Sequence, residues 1–366
     1  MEGFLKEKLQ ERKEKGLLRT LAEQGGLVDF LSNDYLGLAR SEELFDRINA
    51  RIASEGFSAN GGTGSRLLSG NHLAYAQLEK QLSHLFRSEA TLVFNSGYAA
   101  NQGLVAAVAG KGDTIIYDHL SHVCLKEGAW LSQAESWSFK HNDLHDMATK
   151  IALAKGRIFV ITESIFSMDG DEAPLEEIIG LCKKHNAHLI VDEAHSTGTF
   201  GEAGSGWLCE KGLEQDVFAR VYTFGKSMGV HGACVAGSQV LIDYLVNFAR
   251  SFVYSTSLPP HSVISIEESF RHLADHPELQ EQLKSRIDLF KSHVRTASNS
   301  SIHPVMIPGN SEVRKAASKL RNEGFSVRPI MAPTVKEGTE RLRICLHAFN
   351  SNEEIAQLAT SLKRFV

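Results

Sequence analysis

A lysine, an aspartate and a polar turn each follow a short apolar segment. Lys226 comes just after VYTF, Asp192 comes after HLIV, and NSGYAAN at 95–101 comes after TLVF. A lysine amine can form an imine with an aldehyde, a carboxylate can face a protonated pyridine nitrogen, and free backbone N–H groups at a helix start can bind phosphate. Each feature alone has a simpler interpretation, such as a surface lysine, a helix cap or an ordinary turn. Together they predict a site for pyridoxal 5'-phosphate with Lys226 as its covalent anchor.

Such residues need a scaffold that brings strand ends together. Seven apolar or β-branched segments look like strands: TLVF, DTIIYD, SWSFK, RIFVITE, AHLIVDEAH, VYTF and ACVAGS. Helical patterns separate most of them, which is typical of βαβ units in a largely parallel sheet that is buried on both faces. Ligands bind at the carboxyl ends of strands in such sheets. We therefore predict an α/β fold whose seven-stranded, mostly parallel sheet lies between helices.

The pattern also predicts a division of the chain. A charged helix near Phe4–Gln24 and an arm form residues 1–44. The large cofactor-binding domain occupies residues 45–258. After YSTSLPP the pattern changes to long helices and a few strands, which predicts a smaller α+β domain over residues 259–366.

Composition excludes several classes of protein. Of 366 residues, 42% are hydrophobic and 23% are charged, and the net charge of −5 gives no indication of a nucleic-acid or membrane partner. The five cysteines are scattered and form no Cys-x-x-Cys pair, which favours a reduced, cytoplasmic protein. The first residues lack the apolar core of a signal peptide, and no apolar run approaches the ~18 residues of a membrane span.

Several other sequence motifs match known catalytic or binding patterns but lack the neighbouring residues that those patterns require. GKSMG at 225–229 matches Gly-x-Ser-x-Gly, but a Gly-rich segment follows instead of a helix. GKS lacks the upstream glycine of a P-loop, because Arg220 stands there, and no Gly-x-Gly-x-x-Gly follows a strand. The pairs His119/His122 and His141/His145 lack a convincing third ligand, so we predict no metal site.

Longer motifs, in order along nearly the whole chain, resemble the α-oxoamine synthase family of pyridoxal-phosphate enzymes, which has the aspartate-aminotransferase fold (fold type I). They are SNDYLGLA, GTGSRLLSGN, LEKQLSHLF, NSGYAAN, DHLSHVC, HND, ESIFSMDGDEAPL, VDEAHSTGTFG, TFGKSMGVHGA, YSTSLPP and GTERLRICL. GVHGA departs from the family pattern at His231, where a smaller residue or tyrosine is expected.

The resemblance implies roles for individual residues. Lys226 would carry the Schiff base and act as the base, and Asp192 would pair with the pyridine nitrogen. His195 would hydrogen-bond the ring hydroxyl, and His122 would stack on the ring face. The remaining implied cofactor contacts are Ser167, Thr223, the backbone at Gly97 and Tyr98, and Thr256 reaching across a homodimer interface.

The amino-acid substrate would meet arginines. Arg341 and Arg343 alternate along a strand and therefore share one side of it. A planar guanidinium suits a bidentate pair with a carboxylate, and the family pattern favours Arg343 for that role. Arg19 resembles a further substrate contact in some members of the family.

The implied reaction is a decarboxylating condensation of a small amino acid with an acyl thioester. SNDYLGLA, HPVMIPGNS and APTVKEGTERLR look most like the biotin-pathway branch, which joins L-alanine to a pimeloyl thioester. The alternatives are glycine with acetyl-CoA, a serine palmitoyltransferase-like synthase without a membrane anchor, and a paralogue that binds without turnover. Acyl length, and CoA versus carrier-protein donor, stay open.

Overall fold

The structure is a computed structural model that describes residues 2–21, 25–57 and 59–365. The helices within these residues are α1 (Gly3–Glu14), α2 (Glu42–Glu55), α3 (Leu73–Leu85), α4 (Gly97–Val108), α5 (Val123–Leu131), α6 (Leu144–Leu153), α7 (Leu175–Lys184), α8 (Trp207–Lys211), α9 (Gln239–Phe248), α10 (Arg250–Val253), α11 (Pro260–Asp275), α12 (Glu278–His293), α13 (Asn310–Asn322) and α14 (Asn352–Leu362). The strands are β1 (Val28–Asp29), β2 (Ala90–Phe94), β3 (Thr114–Asp118), β4 (Glu135–Phe139), β5 (Ile158–Glu163), β6 (His188–Asp192), β7 (Ala219–Thr223), β8 (Ala233–Gly237), β9 (Ile302–Met306), β10 (Phe325–Ser326), β11 (Arg328–Ile330) and β12 (Arg341–Cys345).

The central sheet has seven strands in the order β2-β8-β7-β6-β5-β3-β4, and only β8 runs antiparallel to its neighbours. All residues of β2 and β7 are buried, which explains their nearly continuous apolar sequences. Apolar clusters pack on the sheet, one with Leu104 and Leu125 and another with Ile178 and Met147. The predicted mostly parallel, seven-stranded sheet is therefore confirmed.

The strand register places the chemistry at one edge of the sheet. Glu163 is paired with Asp192 at the ends of β5 and β6, and Thr223 ends β7. The loop that holds Lys226 continues from Thr223, and its turn is closed by a hydrogen bond from Gly229 N–H to the Lys226 carbonyl. Because β2 runs parallel to β7, the turn that starts at Asn95 also lies at this edge.

A smaller antiparallel sheet, β11-β12-β9, follows the central sheet in the chain, and β1 pairs with β10. One apolar core joins Phe224 and Phe270 to Ile302 and Leu342. Helix α11 thus packs with residues on both sides of the predicted boundary at 258/259, and that boundary stays a prediction.

Several element bounds differ from the prediction. The first helix ends at Glu14, where Gly16 takes a positive φ of 62°, and residues 22–24 of the predicted helix lie outside the described part. The predicted helical stretch 240–252 is two helices, because Ala249 is extended. The strand expected near 325–330 is split into β10 and β11. None of the helices within the described ranges has the length and apolarity needed to cross a bilayer.

Candidate active site

Lys226 lies beside His195. The Lys226 Nζ is 2.9 Å from His195 Nε2. Burial lowers the pKa of the Lys226 amine, although the charges of Asp192 and Glu163 act in the opposite direction. Burial and the nearby cation of Lys226 hold the pKa of His195 well below its usual value, so this imidazole is neutral. A buried amine with a lowered pKa beside a neutral imidazole is a pair suited to accepting a proton.

A hydrogen-bond chain connects His195 to Arg343. Nδ1 of His195 is 2.9 Å from the buried Tyr35 hydroxyl, which donates to Asn33 Oδ1 at 3.1 Å. Nη2 of Arg343 donates to Asn33 Oδ1 at 3.0 Å and to the Tyr35 oxygen at 3.3 Å. When the Tyr35 hydrogen is on Asn33, His195 donates from Nδ1. Its Nε2 is then an acceptor that faces Lys226.

Asp192 retains room for another donor. Its Oδ1 accepts from Ala194 N–H at 2.9 Å, and its Oδ2 accepts from the Asn101 amide at 2.7 Å. A carboxylate offers about four acceptor positions, so two donors leave capacity for a ring N–H. Asn101 lies on α4 and fixes the orientation of this carboxylate.

Glu163 lies next to Asp192 and was missed by the sequence interpretation. Burial and the negative charge of Asp192 raise the pKa of Glu163 to about 8. Its Oε1 accepts from His122 N–H at 2.5 Å. At neutral pH the Glu163 carboxyl is therefore mostly protonated.

The start of α4 forms a cradle for an anion. Ser96 caps the helix and its Oγ accepts from Ala99 N–H, while the first N–H groups of a helix have no acceptor within it. A Cβ on Gly97 would lie only 2.9 Å from Thr223 Oγ1. The structure therefore brings Thr223 to the start of α4, next to Gly97. The binding of phosphate by Gly97, Tyr98 and Thr223 stays a prediction.

Thr256 and His122 border this region with exposed side chains. The Thr256 carbonyl accepts from the Asn95 amide at 2.7 Å, so its loop contacts the turn before α4. His122 caps α5, and its ring lies edge-on to the Tyr98 ring with centroids 6.2 Å apart. Stacking of His122 on the cofactor and the Thr256 contact across a dimer stay predictions.

The two strand arginines have different partners. Arg341 forms an ion pair with Asp169. Arg343 donates from Nε to the Ser167 carbonyl at 2.6 Å, and within the described residues no carboxylate forms an ion pair with it. Arg343 is 7% exposed, so it is a nearly buried cation without a counter-ion. This arrangement favours Arg343 over Arg341 as the binder of an incoming carboxylate.

Two predicted residues have weaker placements. The structure brings the Ser167 backbone to Arg343, but contact of its hydroxyl with a cofactor stays a prediction. Arg19 is exposed in the segment after α1, and no hydrogen bond or ion pair joins it to another described residue of the site. His231 is also exposed and lines a cavity of about 260 Å³ together with Leu44 and Phe45.

Residues 26–362 match the family model of aminotransferase class I and II. The chain belongs to this family. It is 37% identical to 8-amino-7-oxononanoate synthase of Marinobacter nauticus, over all of this chain and 96% of that protein. Among solved structures it is similar to serine palmitoyltransferase of S. paucimobilis (TM-score 0.89, 26% identity, 99% and 96% coverage) and to 8-amino-7-oxononanoate synthase of Francisella tularensis (TM-score 0.78, 25% identity, 92% and 97% coverage). The predicted family resemblance and fold are confirmed.

The site fits pyridoxal phosphate on its own geometry. At the cradle, Thr223 leaves no room for a side chain at position 97, so a glycine is required there. Asp192 keeps free acceptor capacity, and the Lys226 amine has a lowered pKa. An anion cradle, a carboxylate and a lysine amine are the three groups that this cofactor requires.

Outside these groups, His141 bridges Asp118 and Asp171 at 3.0 and 2.6 Å. Burial lowers the pKa of His141, but the two carboxylates more than offset it and raise the pKa to about 9. A raised pKa stabilises the fold fully below the unfolded pKa of about 6.5, and this stabilisation is lost as pH rises through about 9. His141→Ala should therefore lower the free energy of unfolding by about 1–3 kcal/mol more at pH 6 than at pH 10.

Urea denaturation at both pH values measures this difference. His145→Ala, which removes an exposed histidine of α6, is the matched control and should show little pH-dependent change. Equal destabilisation by His141→Ala at pH 6 and pH 10 would contradict the assignment of a charged bridge.

Proposed function

We propose that the chain is a pyridoxal-phosphate-dependent α-oxoamine synthase, an acyltransferase that joins a small amino acid to an acyl thioester with loss of carbon dioxide. L-Alanine and a pimeloyl thioester are the favoured substrates, as in biotin biosynthesis, because relatives that match over all or nearly all of the chain are named 8-amino-7-oxononanoate synthase. The observation that carries the proposal is the continuous chain from Lys226 through His195 and Tyr35 to the unpaired Arg343.

Arg343 binds and orients the amino acid. A substrate carboxylate supplies the counter-ion that the buried guanidinium lacks, and a paired charge in a desolvated site is held strongly. Because Arg343 also donates to Tyr35, the position of the carboxylate is fixed relative to His195 and Lys226. A carboxylate bound there would bring the α-carbon of the amino acid toward Lys226.

Lys226 moves the α-proton. When bound, pyridoxal phosphate supplies an electron sink for the pair left on the α-carbon. The lowered pKa makes Lys226 Nζ a better candidate for the proton acceptor than an ordinary exposed lysine. The neutral His195 accepts a hydrogen bond from Nζ through Nε2 and holds the amine in place.

His195 has a second role in the acyl step. When Tyr35 donates to Nδ1 instead of to Asn33, the neutral ring carries its proton on Nε2 and can donate a hydrogen bond to the thioester carbonyl. The bond between acyl carbon and sulfur breaks as the new carbon–carbon bond forms, and the thiol leaves with a proton. Loss of carbon dioxide from the resulting β-keto acid and reprotonation give the aminoketone.

Tyr35→Phe tests the connection between the two halves of the site. Loss of the hydroxyl removes the acceptor of the His195 Nδ1 proton and one acceptor of Arg343, so kcat/KM should fall about tenfold or somewhat more, or 1–2 kcal/mol. Steady-state kinetics measures the effect. Tyr75→Phe is the matched control, since that buried tyrosine donates to the Leu258 carbonyl, away from His195 and Arg343. Equal effects of both substitutions on kcat/KM would show that Tyr35 contributes only through packing.

We also propose a homodimer with shared sites in the cytoplasm. Large apolar side chains are exposed beside the site, among them Val123 next to His122, Trp130 on α5 and Tyr254 near Thr256. Exposed apolar surface of this kind marks protein interfaces. All five cysteines are buried and free, which agrees with a reducing compartment.

A serine palmitoyltransferase-like reaction is the second candidate, because the structural similarity to that enzyme is high. Glycine with acetyl-CoA is a further possibility for the same site. The deciding experiment adds L-alanine, glycine or L-serine to the holoenzyme and records the visible spectrum of the cofactor. A response to L-alanine at the lowest concentration supports the proposal. Preference for glycine or L-serine would overturn the substrate choice, and no response to any of them would point to a non-catalytic paralogue.

A further inference from the structure

Two histidines and a glutamate meet on the face of α11 that packs on α2. His272 lies on α11, His276 follows its last residue, and Glu43 lies in the first turn of α2. The ligand atoms of the three side chains all lie within 4.8 Å of one another. The centroids of the two histidine rings are 4.3 Å apart, and the ring planes are tilted by 40°.

The distances between the three side chains suit a single metal ion bound by all of them. Glu43 Oε1 is 3.6 Å from His272 Nδ1 and 3.2 Å from His276 Nε2. Tetrahedral zinc holds nitrogen and oxygen ligands at about 2.0–2.2 Å, which places neighbouring ligand atoms about 3.3–3.6 Å apart. The contact to His272 is too long for a hydrogen bond but close to the spacing of two ligands on one ion.

His272 carries an unpartnered nitrogen. The residue is 4% exposed, and its Nδ1 is buried with no hydrogen-bond partner among the described residues. A buried polar atom without a partner is costly and calls for an explanation, such as a bound ion. Since this nitrogen faces Glu43 and His276, a cation between them would satisfy it.

Glu278 contacts the other ring nitrogen of His276. Its Oε1 lies 2.9 Å from His276 Nδ1, which donates to it, while Nε2 lies 3.2 Å from Glu43 Oε1 and would give up its proton when an ion binds between them. A carboxylate that fixes the ring tautomer in this way is typical of metal-bound histidines. The nearby cation Arg47 is already engaged by Asp275 at 2.8 Å and by Glu268 at 3.5 Å.

We propose that Glu43, His272 and His276 form a binding site for one divalent transition-metal ion of the zinc type. Imidazole ligands favour such ions over Mg²⁺ and Ca²⁺, which prefer oxygen. The site has three protein ligands, and a water molecule completes the fourth position. This proposal departs from the prediction of no metal, which considered only histidine pairs whose third ligand could not be seen.

The ion would tie α2 to α11. Bound metal stabilises the folded chain because the ligands come from distant parts of the sequence and meet only after folding. The site holds none of the residues assigned to the reaction, so its loss should leave the basal activity of the holoenzyme unchanged.

Isothermal titration of the holoenzyme with zinc chloride, in buffer free of chelators, tests the proposal. We expect one ion per chain with a dissociation constant in the micromolar range or below, and a rise in the unfolding temperature with zinc. Glu43→Gln and His276→Ala, both at exposed or partly exposed positions, should each weaken binding at least about tenfold. His84→Ala, an exposed histidine on α3, is the control and should bind as the unchanged protein does.

Circular dichroism establishes that the variants are folded. Absence of a stoichiometric zinc site in the unchanged protein would overturn the proposal. Unchanged zinc affinity in either Glu43→Gln or His276→Ala would do the same, because both are required as ligands.

Discussion

Lys226→Ala is expected to abolish covalent attachment of the cofactor and to reduce turnover by at least about 10³-fold. The substitution removes both the only amine placed beside His195 among the described residues and the group that accepts the α-proton. General-base catalysis alone contributes about 10²–10⁴-fold. The measurement is borohydride reduction followed by mass spectrometry of the protein, together with the rate of thiol release.

Lys126→Ala is the matched control for this variant. Lys126 lies on α5 near the site, and its Nζ donates to the His119 carbonyl at 2.7 Å. Its loss should leave attachment of the cofactor intact. Retained turnover in Lys226→Ala would contradict the assignment of Lys226 as the reactive amine. Loss of attachment in Lys126→Ala would contradict it as well.

Arg343→Ala is expected to raise the KM for the amino acid by roughly 30- to 800-fold. The carboxylate of the substrate would enter a desolvated site without its charged partner, a loss of about 2–4 kcal/mol. Since Arg343 also donates to Tyr35, a smaller decrease in kcat should accompany the change in KM. Steady-state kinetics with varied amino acid at saturating thioester measures both.

Arg341→Ala provides the comparison on the same strand. Its guanidinium is paired with Asp169, so its removal should change the KM for the amino acid much less. A larger effect of Arg341→Ala than of Arg343→Ala would reverse the assignment of the two arginines.

The sequence was sufficient to predict the sheet because its strands are short, continuous apolar runs. TLVF and VYTF are buried on both faces as β2 and β7, and Lys226 and Asp192 follow strand ends that the register brings to one edge. Each strand and the residue that follows it are local features, since they depend only on residues adjacent in the chain. Bounds were less predictable where a single backbone angle decides them, as at Gly16 and Ala249.

The connections within the site could not be predicted in the same way. Tyr35 belongs to the motif SNDYLGLA, but its contacts with His195 and Arg343 join three distant segments. In the sequence, Glu163 cannot be distinguished from other carboxylates at strand ends. Only the strand register shows that it is paired with Asp192. The partner of Arg341, Asp169, is likewise invisible in the sequence, and it is this ion pair that distinguishes the two arginines.

The most direct test of the proposed reaction measures its stoichiometry. The holoenzyme is mixed with L-alanine and a pimeloyl thioester, and free thiol, carbon dioxide and the aminoketone product are measured over the same interval. A decarboxylating condensation predicts one thiol and one carbon dioxide released for each aminoketone formed. Transfer of the amino group to a 2-oxo acid without release of thiol or carbon dioxide would contradict it and would place the chain with aminotransferases.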